Sequence, residues 1–71
     1  MKALEVLERI REGNFKLNPY AQTYIKALPD AEREYGEEGV KAQINYIFCN
    51  IRAKKGLQQQ IKKELLKYAN S

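Results

Sequence analysis

One thiol, nine carboxylates, five phenols and thirteen cationic side chains make up the reactive groups of this chain, and histidine is absent. A cysteine nucleophile needs a base to activate it, and Cys49 has no imidazole to call on. Its neighbours Ile47, Phe48, Asn50 and Ile51 give it an apolar, mid-helix setting, which predicts an inert thiol with a structural or interfacial role. Glu5, Glu8 and Glu12 recur at helical spacing, and Glu32, Glu34, Glu37 and Glu38 cluster around a turn. Metal sites between helices combine such carboxylates with histidines at Glu-x-x-His spacing, which this chain cannot do. The carboxylates therefore read as solvated faces and helix-end charges. The one glycine-bracketed turn, Gly36-Glu37-Glu38-Gly39, is acidic and would repel a phosphate. No catalytic, cofactor-binding or metal-ligating residue is assigned, and the chain is not expected to be an enzyme.

The cations are more informative. Residues 1–36 carry six bases and six acids, whereas residues 37–71 carry seven bases and three acids and so hold the whole net charge of +4. Arg52, Lys54, Lys55, Lys62, Lys63 and Lys67 gather around the expected junction of the last two helices. Three readings compete for this cluster: a solvated face, a phosphate-contacting patch with salt-dependent and largely sequence-independent binding, or a docking surface for an acidic partner protein. Cations at helix C-termini account for half of it. Residues 29–52 resemble a helix-turn-helix, but the end that would meet bases is Glu37-Glu38, which argues against a recognition helix. The five tyrosines suit the wet rim of a thin core, and the same chemistry enriches tyrosine at interfaces. Tyr46 and the off-stripe Leu66 are the candidates for contact with another protein.

Four helical segments would position these groups. The first covers residues 2–12, with Ala3, Leu4, Leu7 and Ile10 inward, Val6 beside them, a Glu5–Arg9 pair outside and Gly13 as a left-handed cap. Phe15 and Leu17 pin the connection. Asn18-Pro19 is an N-cap followed by a first-turn proline. Tyr20, Tyr24, Leu28, Ala31 and Tyr35 then keep phase through Pro29, which favours a kinked helix over two separate ones, ending at Gly36. The third helix, residues 37–55, carries Val40, Ile44, Ile47, Phe48 and Ile51 on one stripe and Ala42, Tyr46, Cys49 and Ala53 on the next. Lys54 and Lys55 fall in its last turn and Gly56 stops it. It should be the central element. The fourth, residues 57–69, points Leu57, Ile61, Leu65 and Tyr68 inward and Gln58, Gln59, Lys62, Lys63 and Lys67 outward.

The expectation is a single all-α domain over residues 1–71, a bundle of three to four short helices around the apolar third. A lone cysteine rules out an internal disulfide and fits a reduced, cytoplasmic protein. No stretch is apolar enough for a membrane span, and Met1–Val6 lacks a signal-peptide core. The run Glu34-Tyr35-Gly36-Glu37-Glu38-Gly39-Val40-Lys41-Ala42-Gln43-Ile44, with Tyr46-Ile47, Asn50-Ile51-Arg52 and Lys62-Lys63-Glu64-Leu65-Leu66, resembles small uncharacterised proteins of phages and prophages of Gram-positive bacteria. That resemblance covers about half of the chain and implies a mobile-element origin and a small accessory role. The function expected is therefore that of a non-enzymatic regulatory or accessory protein that binds a partner protein, with no cofactor and with a homodimer compatible. The alternative is nucleic-acid binding through the basic patch.

Overall fold

Asn18 shows how local chemistry sets the elements. Its side-chain oxygen accepts from the Ala21 amide at 2.7 Å and starts a helix at Pro19, the position where a missing N–H is harmless. The computed structural model describes residues 2–71. Among them lie five α-helices and no strand: α1 (Lys2–Gly13), α2 (Pro19–Lys26), α3 (Leu28–Tyr35), α4 (Glu37–Cys49) and α5 (Gly56–Ala69). The chain is an all-α bundle, and α4 packs against each of the other helices. Val40, Ile44, Ile47 and Phe48 from α4 meet Leu28 and Ile61 in the driest part of the core. Phe15, from the α1–α2 connection, sets its ring edge-on to Phe48 at 5.3 Å.

Several expectations are corrected. Residues 18–36 are not one kinked helix. Ala27 closes α2 and opens α3, with Pro29 in the first turn of α3, where its lack of an N–H is tolerated. The third helix stops at Cys49 instead of Lys55. The Asn50 side chain donates to the Tyr46 carbonyl at 2.8 Å, the acceptor its own amide would need to extend the helix. Residues 51–55 leave the helix, which turns Ile51 into the core and removes Lys54 and Lys55 from any helix C-terminus. Gly56 begins α5 and does not end a helix. Gly13 stays helical, and Asn14 takes the left-handed position at φ 50°.

Two helices also sit rotated from the expected face. In α1 the buried line is Ala3, Val6, Ile10 and Gly13, leaving Leu4 exposed. In α5 it is Gln58, Ile61, Leu65 and Ala69, leaving Leu57 exposed. The helices α3 and α4 approach closely at Gly39. A Cβ there would strike the Ala31 carbonyl and come within 2.9 Å of Tyr35 Cβ. Among the described residues no helix is long and apolar enough to cross a membrane.

A candidate docking groove on the last helix

Gln59, Lys62, Lys63 and Leu66 recur on α5 at steps of three, one and three, so they share one helix face. Opposite them the non-helical segment supplies Arg52 and Ala53. Together these six residues line an open groove of about 540 Å³. Ala53 and Leu66 are half-buried and pack against the core, giving the groove an apolar floor. Arg52, Lys62 and Lys63 give it a basic rim. Lys62 donates from Nζ to the Ile51 carbonyl at 2.7 Å, which clamps the two walls together and holds its charge at the groove.

The far wall is fixed by Gln58, which is buried with both polar atoms of its amide engaged. Its Oε1 accepts from the Lys54 amide at 3.0 Å, and its Nε2 donates to the Asn14 carbonyl at 2.9 Å. Gln58 is the third residue of α5, the position from which a glutamine reaches back to the residues preceding a helix. Placing that helix start correctly would have revealed the role. With the preceding helix carried to residue 55, Gln58 reads as an outward polar residue instead.

The six basic candidates thus separate. Arg52, Lys62 and Lys63 converge on the groove. Lys54 lies with Lys16 and Arg52 around a neighbouring recess of about 330 Å³ that includes Asn18 and Asn50. Lys55 and Lys67 are exposed and line neither hollow. None of the six takes part in a salt bridge among the described residues. Glu64, the one acid on α5, is drawn to the opposite side, where it binds Arg9 of α1 beside the Arg9–Glu12 contact at 2.9 Å. Leu66 lines the groove and packs against the core beneath it.

Tyr46 is exposed and lies elsewhere, stacked on Tyr24 of α2 at 5.3 Å. Ala42, Tyr46 and Cys49 form an exposed line on α4, so the second apolar stripe of this helix is not sheathed. Cys49 is an exposed thiol at the helix end, not a mid-helix residue. Tyr20 and Tyr35 are also exposed, at 72% and 70%, and only Tyr24 and Tyr68 sit at the core rim.

A polar knot unseen in the sequence joins the N-terminal ends of α1 and α4 to the C-terminal part of α5. The Tyr68 hydroxyl donates to Glu37 at 2.8 Å, with Lys2 and Lys41 over its ring. Burial, the Glu37 hydrogen bond and the nearby charges of Glu37, Glu32 and Glu5 push the Tyr68 phenol up to about 12. Glu32 of α3 accepts from the Ala3 amide at 3.0 Å and so supplies a negative charge to the first turn of α1. These contacts give two members of the acidic cluster, Glu32 and Glu37, a structural role. Among the described residues no three carboxylate or thiol side chains converge as metal ligands. No family model matches the chain, and neither does any curated protein or solved structure.

Proposed function

We propose that this chain is a non-enzymatic binding module that docks on a partner protein through the groove between α5 and residues 52–53. The observation that carries this reading is the groove's composition: an apolar floor of Ala53 and Leu66 under the basic rim of Arg52, Lys62 and Lys63. Apolar contact supplies affinity, and the surrounding charge selects and steers the partner. Phosphates alone would gain nothing from Leu66. An accessory role of this kind fits the resemblance to small phage proteins.

Nucleic-acid binding is the second reading, favoured by one observation. Among the described residues the six cations have no carboxylate partner, and the recess of Lys16, Arg52 and Lys54 adds the amides of Asn18 and Asn50. Capture from nuclease-treated lysate separates the two. A protein retained by the wild type and lost with Lys63→Glu, but kept with Lys26→Glu on α2, supports the module. Retention that disappears with nuclease treatment and falls steeply with salt supports the runner-up and overturns the module.

A further inference from the structure

From the groove's charge and shape, and resting on the module reading above, we infer that its occupant is an acidic amphipathic segment of the partner, with one apolar side chain on Ala53 and Leu66 and carboxylates facing Arg52 and Lys63. The face from Gln59 to Leu66 spans eight residues of helix, about 10 Å from first to last. That length accommodates two turns of a docked helix, enough for one apolar anchor with a carboxylate on either side.

Charge decides between occupants. Lys63 and Arg52 are exposed and outside every salt bridge of the described residues, so they meet incoming carboxylates without breaking a native pair. Glu64 does not oppose this rim, because it is held by Arg9. A second copy of this chain presents the outer face of α1, where the exposed Leu4 lies one turn from Glu8 but two turns from the exposed Arg11. Two copies each carrying a net charge of +4 repel, however, and a contact between unlike faces does not close into a dimer. A foreign acidic segment has neither disadvantage.

The test uses the full chain, ¹⁵N-labelled, titrated with a helical peptide carrying a central leucine and glutamates one turn before and after it. Three control probes accompany it: the leucine-to-serine peptide, the glutamate-to-lysine peptide and a single-stranded oligonucleotide. Amide shifts are expected at Arg52, Ala53, Gln59, Lys62, Lys63 and Leu66, with no response to the lysine peptide. The serine peptide should bind about tenfold more weakly, the effect of losing part of one buried leucine side chain. Lys63→Glu should weaken the acidic peptide by about tenfold, because an attraction becomes a repulsion. Lys63 is exposed, so this variant keeps its fold where Leu66→Lys would disturb core packing.

Absence of groove shifts with the acidic peptide overturns the inference. If capture of a host protein still depends on Lys63, the module survives and only the acidic occupant is lost. Tighter binding of the oligonucleotide than the peptide at the same amides also overturns it, in favour of nucleic acid. A concentration-dependent mass in sedimentation that Lys63→Glu abolishes overturns it in favour of a second copy.

Discussion

Replacing Gln58 with leucine removes two hydrogen bonds from a buried side chain while keeping much of its volume. The substitution strands the Asn14 carbonyl, 44 residues away in sequence, and the Lys54 amide. Each part-buried group left without a partner costs about 1–3 kcal/mol, and burying leucine in place of an amide returns about 1 kcal/mol. Both groups are only part-buried, which puts each cost in the lower half of that range and the net loss at about 2 kcal/mol, from a total that for a chain of this length is roughly 4–10 kcal/mol. At about 4–8 °C per kcal/mol for so small a domain, thermal unfolding followed by circular dichroism should move down by about 8–16 °C. Hydrogen exchange adds a local readout, since the Lys54 amide should lose protection before α4 does. The acidic peptide should also bind more weakly, because Arg52 and Ala53 stand on the loosened segment. Gln58→Glu keeps an acceptor for Lys54 but sets a carboxylate against the Asn14 carbonyl, so it should restore the Lys54 protection only. A melting temperature unchanged within about 3 °C, with normal Lys54 protection, would refute the reasoning and mean that water replaces both bonds at no cost.

Gly39→Ala should destabilise by about 1–3 kcal/mol in denaturant unfolding. The alanine gains helix propensity, but its methyl collides with the Ala31 carbonyl across the α3–α4 contact. Asn18→Ala should cost about 1–2 kcal/mol, because the side chain caps α2 and also donates to the Asn50 carbonyl at 3.1 Å. Tyr68 has a folded-state value near 12 against an ordinary 10.0, so the unfolded chain releases this proton first. Its contribution is complete below pH 10 and lost as pH rises toward 12, and Tyr68→Phe should flatten that alkaline decline in stability. A phenolate absorbance titration gives the same value directly.

The all-α class and the existence of most helices were legible because periodicity and punctuation act locally. Asn18-Pro19 starts a helix with its own atoms, and Val40, Ile44, Ile47 and Phe48 mark a buried face wherever their helix goes. The pooling of positive charge in residues 37–71 was equally plain. What the pattern could not supply was phase where two neighbouring faces are both apolar. Val6 lies inward and Leu4 outward because Ala3, too small to hold α3 away, lets the α1 backbone come close enough for Glu32 to reach its amide.

The end of α4 was decided by competition at Asn50, whose side chain takes the Tyr46 carbonyl while Ile51 turns into the core. A run of helix formers continued past that point, so no local signal marked it. That early stop makes the groove. It frees residues 51–55 to form a wall, brings Arg52 opposite Lys62 and Lys63, and gives Gln58 an amide and a carbonyl to bridge. Composition set the charge and the apolar surface that had to be buried. Which cations face a common hollow depended on contacts between residues far apart in the chain, and only the packed structure brings those together.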